Sequence, residues 1–279
     1  SSDVCSSDLT VPWDKVRNDI AVVIPVPKDR RSLFVVPWVP KGDGTYRYTY
    51  IGTTDTDYKG PVDDPQCTKD DIDYVLRAVN AALTTSVTAD DIIGVWAGLR
   101  PLVKAASTGR TADLSRRHNL HESASGVLTI TGGKLTTYRE MAEDAVDEAQ
   151  KILGGKKKCR TRSLPLRGAT GKRWTSTELD THLDGRYGSD ASVLKSLIAS
   201  DPELADELVE GLPYLKCEAV YAVTHEMAGT LDDVLTRRTR SRLFDRKATR
   251  MAAPAVCELI APLLGWDQQE QARQLAHFV

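Results

Sequence analysis

The sequence predicts an α+β protein in two parts, a unit built on an antiparallel sheet followed by an all-α unit. Three observations predict it. Short β-branched and aromatic runs, separated by turn residues, crowd the first part of the chain. After residue 168 strand signals almost vanish, and apolar residues repeat at helical spacing instead. Between the two parts, Gly154-Gly155 ends a helix and Lys156-Lys157-Lys158 offers a linker. The division therefore reads as a leader over 1–9, a sheet-and-helix unit over 10–156 and a helical unit over 157–279.

Taken in order, Ser1 to Leu9 is a polar string without periodicity or an initiator Met. It looks like a translated sequencing adapter, so it is set aside as a non-native leader and Cys5 carries no weight. Ile20–Ile24 and Ser32–Val36 read as strands. Gly42-Asp43-Gly44 turns the chain into a third strand, Thr45–Ile51, with Tyr46, Tyr48 and Tyr50 on one face. Thr68 with Asp71 opens a helix whose stripe is Ile72, Val75, Leu76, Val79 and Leu83. The apolar run Asp91–Leu102 is broken by Gly94, Gly98 and Pro101, and glycine there marks a close approach of the backbone. Gly126–Thr131 reads as a short buried strand, turned by Gly132-Gly133 into a helix with Leu135, Tyr138, Met141, Ala145, Ala149 and Ile152 on one face. The helical unit follows as Ala191–Ile198, Leu204–Leu208, Ala219–Leu235, Ala252–Leu264 and Gln268–Phe278, the last capped by Asp267 and Glu270.

Composition excludes several classes. With 279 residues, 41% hydrophobic and 27% charged, the chain can bury an ordinary globular core. A net charge of -2 gives no global attraction to nucleic acid. Cys5, Cys67, Cys159, Cys217 and Cys257 form no CxxC pair, so neither a zinc site nor a disulfide framework is indicated. No apolar run reaches the length that crosses a bilayer.

The strongest site signal is a strand, then Gly132-Gly133, then a helix. Such a turn frees backbone N–H groups at the positive end of a helix dipole, which suits an anion or a carbonyl oxygen. Lys134 adds a full charge. A Gly-Gly pair also serves plain turns, so this signal needs company. Arg100 supplies it, because an arginine ending an apolar strand requires an anionic partner. Arg116, in Ser115-Arg116-Arg117-His118, is a third cation. Arginine forks match phosphate bidentately, and three cations from three segments suit a phosphate monoester.

A family resemblance rests on longer motifs. Thr10-Val11-Pro12-Trp13, Ile24-Pro25-Val26-Pro27, Phe34-Val35-Val36-Pro37-Trp38 and Gly52-Thr53-Thr54-Asp55 occur in order, followed by Trp96–Leu102 and Gly132–Arg139. Ala222–Ala228 and Leu231–Arg238 continue the series. From Thr10 onward the chain resembles the C-terminal portion of FAD-dependent, quinone-linked glycerol-3-phosphate dehydrogenases. The resemblance implies a partial FAD-dependent oxidoreductase domain of amino-acid-oxidase type, followed by the helical domain. It implies that Arg100, Arg116 and Lys134 bind the substrate, and that Gly132, Gly133, Leu135, Thr136 and Thr137 meet the FAD. It implies glycerol 3-phosphate as substrate, quinone as electron acceptor, and a peripheral place on the inner face of the cell membrane; a homodimer stays open. No GxGxxG fingerprint occurs in the chain, and the family's His ahead of the strand at Thr10 is replaced by the leader, so no catalytic base is assigned. The alternatives are an amino-acid-type flavin oxidase using oxygen and a non-enzymatic helical binding module.

Other residues read as structural. His118 and His121 read as loop residues without a carboxylate to orient them, and His225-Glu226 as a structural pair. Asp55, Asp57, Asp63 and Asp64 read as a solvated acidic loop. The basic stretch Arg237, Arg238, Arg240, Arg242, Arg246 and Lys247 reads as a solvated face paired to Asp232, Asp233 and Asp245, with anionic lipid as the sharper reading.

Overall fold

The computed structural model describes residues 4–29, 31–100, 118–169 and 178–278. The main sheet is antiparallel and is built from β1 (Val4–Pro12), β2 (Val22–Pro25), β3 (Ser32–Pro40), β4 (Tyr46–Gly52), β5 (Thr56–Asp57) and β6 (Gly94–Leu99). β3 lies between β2 and β4, and β4 pairs with β1. The other edge of β1 carries β6, with Asp8 opposite Trp96 and Ser6 opposite Gly98.

The back of this sheet is its core. Leu9, Val11, Leu33, Val35 and Ile51 point to one side and bury against Val75, Ala78 and Val79 of helix α1 (Lys69–Asn80). Each large apolar side chain so buried contributes roughly 1.5–3 kcal/mol. Helix α1 begins where its cap requires: Thr68 accepts from the Asp71 N–H, and the Asp71 carboxylate accepts from the Thr68 N–H.

Residues 4–9 do not stand apart from the fold; they run through the middle of the sheet, with Cys5, Ser7 and Leu9 buried. Strand pairing uses backbone N–H and C=O groups, which polar residues carry as apolar ones do, so a polar string can join a sheet that a period-2 search misses.

A second, two-stranded sheet joins β7 (His118–Glu122) to β8 (Leu128–Gly132), and helix α2 (Tyr138–Ile152) packs on it. The helical unit contains α3 (Glu178–Tyr187), α4 (Ala191–Ser200), α5 (Lys216–His225), α6 (Ser241–Phe244), α7 (Arg246–Leu264) and α8 (Gln268–Phe278). Two expected helices change. Leu204–Leu208 is only a short 3-10 turn, Pro202–Ala205. Ala219–Leu235 is broken near Met227, which has a φ of 57°, and resumes as a π-turn over Asp233–Arg238. Helix α3 has little amphipathic signal and was not expected.

Glu218 of α5 explains how α3 docks. Its fully buried carboxylate accepts from His182 Nε2 at 2.6 Å, the Tyr187 hydroxyl at 2.7 Å and the Leu215 N–H at 3.0 Å, and ion-pairs with Arg186 Nε at 2.8 Å. The helical unit also grips the sheet. Phe244 of α6 packs on Trp38 and Tyr48 at ring distances of 4.4 and 4.9 Å. The Arg246 N–H donates to the Ile93 carbonyl at 3.1 Å, and a Cβ at Gly94 would lie 2.8 Å from the Leu243 carbonyl carbon.

Candidate active site

The front of the main sheet carries chemistry. Strand alternation sends Tyr46, Tyr48 and Tyr50 forward while Thr49 and Ile51 go to the back. The same alternation places Asp8, Trp96 and Gly98 forward. At the end of β6, the Arg100 Nε lies 2.6 Å from Asp55 Oδ1, both groups mostly buried. The terminal amino groups of Arg100 donate to no other described residue. Arg100 therefore has the anionic partner its position requires, and it is a protein carboxylate.

Asp55 departs from the expectation. It is not a solvated loop residue but the group that orients Arg100. Sequence reading set it among the acidic residues because charge-run composition cannot show which member turns inward. Its place after Gly52-Thr53-Thr54 was the available signal. Those threonines fix the turn: the Ser7 N–H donates to Thr54 Oγ1 at 3.0 Å, and the Thr53 hydroxyl donates to the Ser7 carbonyl at 3.3 Å.

Asp8 faces the same space. Burial pushes its carboxyl up to about 6, although the Arg100 charge and a Thr53 hydrogen bond act in the opposite direction. The Tyr50 hydroxyl is pushed up by burial and then by the Asp8 charge. Asp8 is thus electrostatically coupled to both Tyr50 and Arg100.

The second cluster is the turn after β8. Gly132 and Gly133 both have positive φ, at 73° and 76°. A Cβ at Gly133 would also lie 2.9 Å from Met141 Cε and 3.3 Å from His118 Cβ, contacts that the end of the Met141 side chain can relieve, so the conformation is what demands glycine. Leu135–Thr137 forms a 3-10 turn before α2 rather than its first α-turn. The Thr137 hydroxyl accepts from the Lys134 N–H at 3.2 Å and donates to the Lys134 carbonyl at 3.0 Å. Thr137 thus caps its own turn. The N–H groups of Leu135 and Thr136 have no partner among the described residues, and Lys134, Leu135 and Thr136 are exposed. The turn accordingly keeps donors for an external acceptor.

Arg116 lies outside the described residues. No hydrogen bond or ion pair among the described residues joins the Gly132–Thr137 turn to Arg100, so the chain presents two separate clusters. His118 and His121 belong to β7 rather than to a loop, and His118 Nε2 has a carboxylate partner, Asp144 Oδ2, at 2.7 Å. His225 stacks on Tyr221 at 4.6 Å and bonds Thr224 rather than Glu226. Arg237 pairs with Asp232 and Asp233, and Arg242 with Asp232.

Two known families match successive parts of the chain. Residues 7–139 match the FAD dependent oxidoreductase family, and residues 159–271 match the C-terminal domain of alpha-glycerophosphate oxidase. Over residues 7–139 the chain is similar to the FAD dependent oxidoreductases. Glycerol-3-phosphate dehydrogenase 2 of Mycobacterium tuberculosis is 38% identical over 285 residues, covering 97% of this chain and 47% of the relative. Glycerol-3-phosphate dehydrogenase 1 of the same organism is 40% identical over 245 residues, covering 84% and 46%. The crystal structure of the glycerol-3-phosphate dehydrogenase from Bacillus halodurans complexed with FAD superposes with a TM-score of 0.80 at 29% identity, over 99% of this chain and 55% of that one. The chain thus spans about half the length of the curated relatives it matches.

Proposed function

We propose that this chain is the substrate-side part of a flavoenzyme that oxidises sn-glycerol 3-phosphate to dihydroxyacetone phosphate and passes the electrons to quinone. The observation that carries the reading is Arg100: its Nε is pinned by Asp55, which leaves the outer edge of the guanidinium for a phosphate. Lys134 and Arg116 supply further charge. The Gly132-Gly133 turn fits FAD, because the Leu135 and Thr136 N–H groups point at no described acceptor and a helix follows them. When bound, FAD supplies the two-electron oxidant. This chain's residues hold the phosphate, fix the substrate against the sheet and offer donors to the flavin edge.

The division near residue 156 and the non-native origin of the leader are part of the same proposal. Peripheral membrane contact rests on exposed Arg240, Arg246, Lys247 and Arg250 beside Met251, which is 75% exposed. No helix among the described residues is long and apolar enough to cross a membrane.

The test is Arg100→Ala in the flavin-loaded enzyme. Losing one partner of a desolvated charge pair costs about 2–5 kcal/mol, so kcat/KM for glycerol 3-phosphate should fall at least about 30-fold with the fold intact. An unchanged kcat/KM removes Arg100 from the site.

A further inference from the structure

Asp55, which orients Arg100, is itself held by a residue that the phosphate reading does not use. Arg31 directly precedes β3 and spreads its guanidinium over acceptors from two segments. Its Nε donates to Asp29 Oδ2 at 2.8 Å, and its Nη1 donates to the Asp55 carbonyl at 3.0 Å. Asp29 Oδ1 also accepts from the Arg31 N–H at 3.1 Å. Helix α1 closes the arrangement: the Tyr74 hydroxyl donates to Asp29 Oδ2 at 3.1 Å, and the Arg31 Cζ lies 4.6 Å from the Tyr74 ring centre. The Asp29 carboxyl is held down at about 2, first by its hydrogen bond from Arg31, so the pair stays ionised at neutral pH.

Asp55 sits in the short link between β4 and β5. Before it, Thr53 and Thr54 tie the link to Ser7. After it, β5 pairs with β1 over only two residues. Arg31 adds a contact at Asp55 itself. A guanidinium is a planar fork, so one that is pinned by Asp29 and stacked on Tyr74 presents its remaining edge in a single direction. Asp55 is thereby gripped from both ends, with its carbonyl on Arg31 and its Oδ1 2.6 Å from Arg100 Nε. The contacts run without a break from helix α1 through Asp29, Arg31 and Asp55 to Arg100.

Resting on the phosphate reading of Arg100, we infer that Arg31 is a positioning residue: it fixes the Asp55 backbone, and Asp55 in turn sets the direction of the Arg100 guanidinium. Arg31 works through Asp55 rather than on the substrate. Fork-to-phosphate pairing depends on direction as well as charge, so a loosened Asp55 weakens the grip of an Arg100 that is still present and still charged.

The test is a double-mutant cycle on the flavin-loaded enzyme, read by kinetics with glycerol 3-phosphate and by calorimetry with inorganic phosphate. Arg31→Met should lower kcat/KM at least about tenfold, with KM carrying more of the loss than kcat, because the phosphate is held alike in ground state and transition state. The dissociation constant of inorganic phosphate should rise by a similar factor. In an Arg100→Ala background the same substitution should lower kcat/KM by less than about twofold, since the group it acts through is gone. Arg31→Lys is a milder change that guards against misfolding; it keeps a charge for Asp29 but cannot fork to both acceptors, and should still lose at least about threefold. Equal losses from Arg31→Met in both backgrounds, or no loss in either folded Arg31 variant, overturn the inference and leave Arg100 in the site. An Arg100→Ala enzyme with unchanged kcat/KM overturns the phosphate reading and this inference with it.

Discussion

In the helical unit, Glu218 is fully buried, accepts from two side chains and a backbone N–H, and ion-pairs with Arg186. On the front of the sheet, Asp8 is half-buried, and only Arg100 and Thr53 act to lower its carboxyl. Burial pushes both carboxyls up. For Glu218 the His182 hydrogen bond and the Arg186 charge outweigh burial and hold it below the ordinary range. For Asp8 they do not, and it settles at about 6. The difference lies in the number of convergent donors rather than in depth. One carboxylate is part of a finished core; the other stands half-buried on the front of the sheet.

The same contrast appears among apolar residues. Helix α7 buries Val256, Cys257 and Ile260 almost completely. Helix α2, equally periodic in sequence, has no buried residue, and the Leu135 and Leu153 flanking it are 86% and 84% exposed.

The sharpest way to break the carboxylate comparison is Glu218→Leu. It leaves His182, Arg186 and Tyr187 facing an apolar group, and urea unfolding should show a loss of about 3–5 kcal/mol. A loss under 1 kcal/mol would mean that α3 is held by something else.

The packing comparison predicts a smaller but still large asymmetry. Leu235→Ala, at a position with no exposure, should cost about 2–5 kcal/mol, whereas Val146→Ala on the exposed face of α2 should stay within about 0.5 kcal/mol. Equal costs would show that α2 is covered in solution.

Asp8 gives the smallest effect and a pH signature of its own. Its folded carboxyl is raised, so the native chain binds a proton more tightly than the unfolded chain does. Stability therefore falls as pH rises from about 4 to about 6 and levels off above that. Asp8→Asn removes this penalty, and should stabilise the chain at pH 7 by at most about 3 kcal/mol while matching the parent below pH 4. A difference that persists at pH 3 would assign the effect to packing instead.

Some features were determined by the sequence alone because their physics is local. The Thr68–Asp71 cap joins residues three apart, the tyrosines of β4 alternate within one strand, and Gly132-Gly133 sits where two positive φ angles are required. Arg100 was legible as a residue in need of an anion. Which anion it met was not, because Asp55 lies 45 residues away and reaches it only through the pairing of β1 with both β4 and β6. The inclusion of residues 4–9 in the sheet, the break of the long helix at Met227 and the capture of α3 by Glu218 were likewise decided by tertiary structure. Each depends on groups distant in sequence, and backbone pairing or a buried charge can override local preference once the fold brings them within bonding distance.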